Sequence, residues 1–372
     1  MTDENPTTTN VLVTGADGFL GWHFRCRCIG EPGLVLHPAG RSAFDDLAAL
    51  RELVHGTDWV VHLAGQNRGE DSALATTNRH LATTIAEMIS TAPRPISVVF
   101  ASSTHIDRDT AYARSKREAA GILTAAAESN GGTCATVVFP HIFGERARPF
   151  YNSVVATFCH QLANEEQPKV LANGDLELLH AQTAADVILN CIRGSKIDLR
   201  PAGHRIDVVT LLAKLQGLAA VYGENLLPDI RSRLDLELFN TYRHYLFPSR
   251  YPRALKKLGD NRGELFEAVK SLNGGQAFLS STHPGITRGN HFHKRKFERF
   301  LVLAGRAQIQ LRRLFDSQKH SFEVSGDAPC VIDMPTMHTH NITNIGDGEL
   351  VTMFWSSEVF DRNDPDTYTE AV

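Results

Sequence analysis

A glycine-rich segment near the start of the chain constrains its fold more than any other feature. Residues 14–21 read TGADGFLG and lie between an apolar run, Val11–Thr14, and a segment with helical spacing of its apolar residues. In such a strand–turn–helix unit, Gly15 permits a tight turn, Gly18 lets the backbone approach a pyrophosphate, and Gly21 allows the helix to pack closely on the sheet. Because a helix N-terminus presents free N–H groups to phosphate, the segment predicts a dinucleotide site.

The residues around this turn also predict which dinucleotide binds. Phe19 and Leu20, at the start of the helix, are expected to contact it together with the glycines. The end of the second strand, VLHPAGRS at 35–42, has no acid for a ribose 2′-hydroxyl, but it contains Arg41. Since a guanidinium suits a 2′-phosphate, the sequence favours NADP(H) over NAD; an ordinary surface role for Arg41 is the alternative.

A tyrosine and a lysine four residues apart predict the chemistry of this site. Tyr112 and Lys116, in YARSK, share one face of a helix. The charge of Lys116 beside the hydroxyl favours a phenolate, so Tyr112 can exchange a proton with a substrate oxygen while hydride moves at the neighbouring carbon. Ser103, at the end of the preceding strand, is predicted to orient that oxygen, with Ser102 and Thr104 as alternatives.

The first third of the chain alternates buried-type strands with helices. Apolar runs at Trp59–Ala64, Ile96–Ala101 and Thr133–Phe139 are separated by segments with helical composition, Arg79–Ser90 and Tyr112–Glu128. Such alternation is typical of βαβ units. It predicts an α/β fold with a Rossmann-type doubly wound parallel sheet.

The last third of the chain has a different pattern. From about Gly274 onward, short apolar runs lie between turns that contain glycine or proline, and no long helical pattern appears. This is typical of an all-β barrel or jelly roll. Because the change follows a helical segment at 229–246 and two prolines, we predict two domains, residues 1–247 and 248–372.

Histidines in the last third predict a metal site. His291 and His293 are two residues apart, so on a strand their side chains point the same way. Glu298 is an odd number of residues farther on and requires a turn or bulge before it can join them. The segment PTMHTH adds His340, with His338 as the alternative ligand. Three imidazoles and one carboxylate suit Zn, Fe, Mn, Ni or Cu, with Zn the default. The alternative is that these histidines form ordinary hydrogen bonds and bind no metal.

The N-terminal motifs resemble the short-chain dehydrogenase/reductase family, in its extended nucleotide-sugar branch. The shared motifs are TGxxGxxG, HLAG at 62–65, and a serine followed by YxxxK. The gap of nine residues between the serine and the tyrosine is shorter than is usual in that branch. The resemblance implies that Leu63, Ala64, Tyr112 and Lys116 contact the cofactor.

The histidine motifs resemble the cupin family. The first half reads G-x5-H-x-H-x4-E-x6-G, and the second half reads P-x4-H-x3-N through Pro335, His340 and Asn344. The chain departs from the family at Met337 and Pro329, where glycine is usual. The resemblance implies an all-β cupin (jelly-roll) domain.

The whole chain resembles the CapF-type bifunctional enzymes of bacterial capsular polysaccharide synthesis. Shared segments include HLAGQNR at 62–68, FGERARPFYNSVVATFCH at 143–160 and DPDTY at 364–368. The resemblance implies that the cupin epimerises C3 of a UDP-linked 4-keto-6-deoxy-N-acetylhexosamine, and that the reductase domain then reduces C4 with NADPH, towards UDP-N-acetyl-L-fucosamine. Epimerisation comes first because the C3 proton is acidic only while C4 is a ketone. The resemblance also implies a homodimer.

Further roles follow less directly. Arg68 and Asn152 lie in shared segments and are expected to bind sugar or phosphate, with a structural role as the alternative. The cupin reaction needs a general base, for which Lys296 and His338 are both candidates. A second hypothesis keeps the reductase and makes the cupin a non-catalytic, metal-stabilised dimerisation or binding module. A third is a nucleotide-sensing regulator, which the retained Ser, Tyr and Lys disfavour.

Composition excludes several classes of protein. The chain has 38 basic and 42 acidic residues, a net charge of −4, which argues against binding nucleic acid or anionic membrane by bulk charge. No apolar run approaches the roughly 20 residues that a membrane span needs. The N-terminus, MTDENPTTTN, is too polar for a secretory signal, and the six cysteines form no CxxC pair. We therefore expect a cytoplasmic protein with reduced thiols.

Overall fold

The structure is a computed structural model that describes residues 8–194, 199–261 and 263–372. The described residues form two compact units. The first unit comprises the chain up to Phe143 together with Asp175–Ile206, and the second comprises Gly144–Gly174 together with Asp207–Val372. Each unit has its own sheets and its own hydrophobic core.

Helices and strands alternate in the first half of the chain, and strands alone follow Leu246 in the described residues. The elements up to Phe143 are β1 (Thr9–Thr14), α1 (Phe19–Cys28), β2 (Leu34–Ala39), α2 (Leu47–His55), β3 (Trp59–His62), α3 (Asp71–Ser90), β4 (Ser97–Ser103), α4 (Ala111–Ser129), β5 (Cys134–Phe139) and β6 (His141–Phe143). The next elements are α5 (Val154–Ala163), β7 (Asp175–His180), α6 (Ala181–Ile192), β8 (His204–Asp207), α7 (Val208–Gly223), β9 (Leu226–Leu227) and α8 (Arg233–Leu246).

The remaining elements are strands of the second unit. They are β10 (Arg253–Ala254), β11 (Lys257–Asp260), β12 (Gly263–Phe266), β13 (Lys270–Ser271), β14 (Gln276–Thr282), β15 (Thr287–Phe292), β16 (Glu298–Ala304), β17 (Arg306–Arg313), β18 (Lys319–Ser325), β19 (Cys330–Met334), β20 (His338–Asn344), β21 (Leu350–Ser356) and β22 (Tyr368–Thr369).

The first unit contains a parallel five-stranded sheet in the order β2-β1-β3-β4-β5. Successive side chains of a strand point to opposite faces, so both faces must be covered. Leu12 of β1 belongs to the core beneath α2, α3 and α4, whereas its neighbour Val13 belongs to the core shared with α1 and α6. The predicted doubly wound sheet is confirmed, and its strand order reverses between β1 and β3, where open α/β sheets bind ligands.

The second unit contains two five-stranded sheets, β10-β19-β16-β21-β14 and β18-β17-β20-β15-β22. The paired strands within both sheets run antiparallel. Their inner faces supply a common core that includes Phe300, Ile309, Ile332 and Ile342. The predicted jelly roll is confirmed.

A buried polar cluster holds two helices to the sheets of the second unit. Arg299 of β16 donates to Asp333 of β19 at 2.7 and 2.9 Å, and Tyr222 of α7 donates to the same carboxylate. Arg243 of α8 donates to the carbonyl of Met334 at 2.7 Å. The predicted boundary at residue 247 therefore follows a helix that packs within this unit; as a division of the sequence into domains it stays a prediction.

Two predicted elements differ from the structure at their ends. The strand predicted at 59–64 ends at His62, and the helix predicted from Arg79 begins at Asp71. Leu63 and Ala64 continue the apolar run but lie in the loop after β3, whereas residues 71–78 are mostly polar and carry no clear apolar periodicity. None of the helices in the described part of the chain is both long and apolar enough to cross a membrane.

Candidate functional site

The glycine turn of the first unit leaves no room for side chains. Gly15 has a φ of +65°, and a Cβ on it would lie 2.7 Å from the backbone nitrogen of Ala64. A Cβ on Gly21 would lie 2.2 Å from the carbonyl oxygen of Gly15. Gly18 is the N-cap of α1 and has no side chain to bond the first N–H groups, so the helix start at residues 19–20 can present them to a ligand.

The ends of β1 and β3 are joined beside this turn. The hydroxyl of Thr14 lies 3.0 Å from Nδ1 of His62 and accepts a hydrogen bond from the backbone of Ala64 at 3.3 Å. The backbone of Leu63 donates to the carbonyl of Thr14 at 3.2 Å. Burial, with a smaller contribution from the charge of Lys116, lowers the pKa of His62 to about 3, so its imidazole is neutral. The structure thus brings the predicted contacts Leu63 and Ala64 to the glycine turn.

The end of β2 carries both a cation and an acid. Arg41 is exposed and begins a short 3₁₀ helix two residues after the strand ends. The carboxylate of Asp17 also lies here, 2.4 Å from where a Cβ on Gly40 would be, and it accepts a hydrogen bond from Arg25 at 3.1 Å. Sequence reasoning missed Asp17, because it precedes the helix rather than following the second strand.

Tyr112 and Lys116 lie on the first turns of α4. The ammonium of Lys116 donates to the carbonyl of Ala101 at 2.9 Å and lies 4.7 Å from the ring centre of Phe100. Burial lowers the pKa of Lys116 to about 8 and raises the pKa of Tyr112. The rise is opposite to the predicted effect of the lysine charge, because the tyrosine is desolvated and the ammonium is bonded to β4.

The end of β4 meets the same helix. Ser103 is the last residue of the strand, and its hydroxyl accepts a hydrogen bond from the backbone of His105 at 3.3 Å. The His105 ring lies edge-on to Tyr112, with ring centres 6.4 Å apart. Ser102 is buried on the opposite face of the strand, and Thr104 begins a 3₁₀ helix. This geometry favours Ser103 among the three alternatives.

A buried asparagine that the sequence motifs did not reveal connects two parts of this site. The Asn78 side chain accepts from the backbone of Gln66 at 2.7 Å and donates to the carbonyl of Gln66 at 2.9 Å and the hydroxyl of Ser115 at 3.2 Å. It therefore holds the loop after β3 against α4. Its only sequence signal is a polar amide on the buried face of a helix.

The two predicted substrate ligands are both exposed. Arg68 lies in the loop between β3 and α3, where its carbonyl accepts a hydrogen bond from Gln66 at 2.8 Å. Asn152 lies in the second unit, immediately before Ser153, the N-cap of α5. Their binding roles stay predictions.

The second unit brings together the four predicted metal ligands. His291 of β15 and His340 of β20 are cross-strand partners, and Glu298 is the first residue of β16. His293 lies in the turn between β15 and β16, which is the turn that the odd spacing to Glu298 requires. Their ligand atoms all lie within 4.8 Å of one another.

The hydrogen bonds of two of these histidines fit a cation. Nδ1 of His293 lies 2.6 Å from the carbonyl of Asp366, and Nδ1 of His340 lies 3.1 Å from the carbonyl of His338. Because a carbonyl only accepts, both Nδ1 atoms carry the proton and both Nε2 atoms carry a lone pair. Both Nε2 atoms are buried and make no hydrogen bond within the described residues. A bound cation would satisfy them.

The charges of the cluster also fit a cation. Burial alone would raise the pKa of Glu298, but the imidazoles of His293 and His340, whose Nε2 atoms lie 3.4 and 3.7 Å from it, lower that pKa well below its usual value when they carry a proton on Nε2 in place of a metal. Burial lowers the pKa of His291 to about 3 and also lowers the pKa of His340. The carboxylate of Glu298 is ionised and the imidazoles of His291 and His340 are neutral, the forms that bind metals.

His338 lies outside the cluster. It precedes His340 by two residues on β20. Its side chain therefore points to the same face of the sheet as that of His340 but lies two residues farther along the strand. Its ring centre lies 5.1 Å from that of Phe247 and 6.1 Å from that of His244, and its Nδ1 lies 2.9 Å from the carbonyl of Thr336. Of the two alternatives, His340 is the one brought to the other ligands.

A cavity of about 280 Å³ opens onto the cluster. Lys296 lies in its wall with Nζ 3.9 Å from a carboxylate oxygen of Glu298. The hydroxyl of Ser356 is buried without a hydrogen bond to any described residue. Sequence reasoning missed Ser356, which is the last residue of β21. The lining residues are Gln276, Phe278, His291, Lys296, Glu298, Ser356, Glu358, Phe360 and Thr367.

Two family models match the chain. The NAD dependent epimerase/dehydratase family matches residues 11–197, and the Polysaccharide biosynthesis C-terminal domain matches residues 258–368. The matches include the glycine turn, Tyr112 and Lys116 in the first case and the histidine cluster in the second. Membership of the first family supports a nicotinamide cofactor.

Similar proteins cover nearly the whole chain. A UDP-2-acetamido-2,6-beta-L-arabino-hexul-4-ose reductase of Pseudomonas aeruginosa is 30% identical over 371 residues, 97% of this chain and 98% of its own. The crystal structure of the capsular polysaccharide assembling protein CapF from Staphylococcus aureus is 30% identical, with a TM-score of 0.64 over 98% of this chain and 100% of its own.

A more distant structure shares the fold of part of the chain. The UDP-N-acetylglucosamine 4-epimerase of Methanobrevibacter ruminantium M1 is 17% identical, with a TM-score of 0.53 over 66% of this chain and 99% of its own. The two full-length matches and the two family models confirm the predicted resemblance. The chain is an enzyme of the NAD dependent epimerase/dehydratase family and belongs to its CapF-type members, which carry a polysaccharide biosynthesis C-terminal domain.

Proposed function

We propose that the chain carries out two consecutive reactions on one UDP-linked 4-keto-6-deoxy-N-acetylhexosamine. The second unit epimerises C3, and the first unit then reduces the C4 ketone with NADPH, towards UDP-N-acetyl-L-fucosamine-type sugars for surface polysaccharide. One observation carries the proposal: a single chain holds both a nicotinamide turn with Tyr112 and Lys116 and a buried cluster of three imidazoles and one carboxylate. The Pseudomonas relative, named as the reductase of a UDP-linked 4-ketose, supports the C4 reaction.

The reduction step uses three side chains of the first unit. When bound, the reduced nicotinamide supplies the hydride that C4 accepts. Tyr112 donates its hydroxyl proton to the C4 oxygen, and the ammonium of Lys116 stabilises the phenolate left behind. The hydroxyl of Ser103 orients the same oxygen. Arg41 is the proposed partner of a 2′-phosphate, since it is exposed just after β2, and it makes NADP(H) the preferred cofactor.

The epimerisation step uses the cavity of the second unit. When bound, a divalent cation, most simply Zn, draws electron density from the carbonyl and makes the C3 proton more acidic. His291, His293, Glu298 and His340 are the proposed ligands. Lys296 is the proposed base, because its amine lines the cavity beside Glu298. His338, the other candidate base, is less suited because its ring packs near Phe247 and His244.

The proposal includes further properties of the protein. Arg68 and Asn152 are proposed to contact the UDP-sugar, and both are exposed.

A homodimer is supported by Leu258 and Leu265, which pair on the hairpin β11–β12 and are 53% and 61% exposed. A cytoplasmic location is supported by the six cysteines, which are all free thiols. The dimer is tested by light scattering of Leu258→Asp, which should have a smaller molar mass than the wild type. Equal masses would remove the support that these two leucines give to the homodimer.

Deuterium exchange separates this proposal from its main alternative. The UDP-4-keto sugar is incubated with the protein in deuterated water without NADPH, and C3 is followed by NMR. We expect deuterium at C3, and none after chelation of the metal. An alternative reductase, whose cupin only binds or dimerises, would consume NADPH with the same sugar but leave C3 unlabelled.

A further inference from the structure

The C-terminal segment lies along the strand that carries the first metal ligand. We define residues 364–370 as the C-terminal clamp. Within it, β22 pairs with the end of β15, so that Thr369 is the partner of His291. The ring of Tyr368 stacks on Phe292 with ring centres 5.3 Å apart. The clamp therefore contacts the cluster side of the barrel although it is distant in sequence.

One side chain of the clamp organises the turn that follows β15. The carboxylate of Asp366 accepts hydrogen bonds from three consecutive backbone N–H groups, at 3.1 Å from Lys294, 2.9 Å from Arg295 and 2.8 Å from Lys296. Asp366 is only 4% exposed and has a φ of +42°, a region in which aspartate and asparagine are enriched. Its side chain therefore caps the turn at residues 294–296.

The backbone of the same segment touches both functional side chains of that turn. The carbonyl of Asp366 bonds Nδ1 of His293 at 2.6 Å and so fixes the tautomer that leaves Nε2 free. The amine of Lys296 donates to the carbonyl of Pro365 at 3.0 Å and to the hydroxyl of Thr367 at 3.3 Å. A shift of Asp366 would therefore move one ligand and the proposed base together.

We propose that Asp366 is a positioning residue: its carboxylate locks the turn 294–296, and its carbonyl aims the imidazole of His293 at the metal. This inference rests on the proposed metal binding by the cluster and deepens it. An aspartate suits this position because three backbone N–H groups donate to its side chain. A carboxylate offers acceptors at both oxygens, whereas an asparagine would turn an NH₂ group towards at least one of three N–H donors.

The test compares Asp366→Asn with Asp364→Asn. Asp364 is the matched control, since it is two residues away and, among the described residues, its side chain pairs with exposed Arg295 at 3.0 Å and not with the backbone of the turn. Both full-length variants are titrated with Co²⁺, and the visible spectrum of the bound ion is recorded. We expect Asp366→Asn to bind Co²⁺ about 10–100-fold more weakly and with a changed spectrum, because a loosened turn misplaces the carbonyl that orients His293, and disturbing an outer partner of a ligating histidine weakens binding on this scale. Equal affinity and equal spectra in the two variants would overturn the inference.

A measurement on the wild type covers the case in which Asp366→Asn does not fold. The ¹⁵N shifts of His293 in the metal-free protein report which ring nitrogen is protonated. The inference requires the proton on Nδ1, and a proton on Nε2 would overturn it. Failure of the proposed function looks different: the wild type itself would then bind no Co²⁺, whereas failure of this inference alone leaves wild-type binding intact.

Discussion

The candidate site of the first unit and the histidine cluster of the second differ in which groups are available to bind a ligand. In the first unit, the backbone of a turn and a helix start form the cradle, and glycines at 15 and 21 keep side chains out of it. In the second unit, four side chains from β15, β16, β20 and one turn converge within 4.8 Å. We therefore expect the cradle of the first site to depend on its glycines, and metal binding in the second unit to depend on each of the four side chains.

The two sites also differ in how their charges respond to pH. Burial lowers the pKa of Lys116 to about 8, so the first site has a group that titrates close to neutral pH. In the second, the pKa of Glu298 is held well below its usual value and that of His291 is lowered to about 3. Their charges are therefore constant over the range in which the first site changes.

Tyr112→Phe should give the largest effect and separate the two sites. Because the variant cannot donate a proton to the C4 oxygen, NADPH oxidation with the keto sugar should fall by about 10²–10⁴-fold. Deuterium exchange at C3 should be unchanged, since it takes place in the other unit. Loss of both reactions would contradict the assignment of two separate sites.

His340→Ala and His338→Ala form a matched pair on one strand. The first removes a ligand and should weaken metal binding by more than the roughly 10–100-fold that loss of an outer hydrogen-bond partner costs. The second lies outside the cluster and should keep its metal. Metal content after dialysis, measured by atomic absorption, checks both; a fully metallated His340→Ala would refute its assignment as a ligand.

Arg41→Ala should reduce the preference for NADPH. A charged hydrogen bond contributes about 1.5–3 kcal/mol, so the Kd for NADPH should rise roughly 10- to 150-fold while that for NADH stays constant. Fluorescence titration with each cofactor gives both constants. Arg51→Ala, another exposed arginine nearby in sequence, is the control, and an equal effect on NADH would count against a 2′-phosphate contact.

The pH profile of the reductase should report Lys116. The lysine is protonated below its pKa of about 8 and loses the charge that stabilises the phenolate above it, so kcat/KM for NADPH oxidation should decline as the pH rises. The decline should approach about tenfold per pH unit. Lys116→Arg stays charged and should lack this decline. A wild-type profile that is flat from pH 7 to 9.5 would contradict the assignment.

The first site could be predicted from the sequence where its residues lie close together along the chain. Gly15 and Gly21 were predictable because both lie within the eight residues of one turn, where side chains do not fit. Tyr112 and Lys116 were predictable because a spacing of four residues places them on the same face of one helix. Asn78 was not predictable, since its partners Gln66 and Ser115 are brought together by the packing of α3 on α4.

The second site could be predicted from the sequence only in part. The spacing of His291, His293 and Glu298 predicts the cluster, including the turn before Glu298. The choice between His338 and His340 needed the register of β15 against β20, which depends on long-range pairing. The hydrogen bonds of the C-terminal clamp join residues about 70 positions apart and leave no local pattern.

The central claim, that one ketone is used first in the second unit and then in the first, is tested most directly by mixing two inactive variants. Tyr112→Phe alone should form the C3 epimer without reducing it, and His291→Ala alone should not form it. Combined with NADPH and the UDP-4-keto sugar, the two proteins should restore the reduced product, observed by mass spectrometry. No product from the mixture, with both proteins folded and Tyr112→Phe still exchanging C3, would contradict the account.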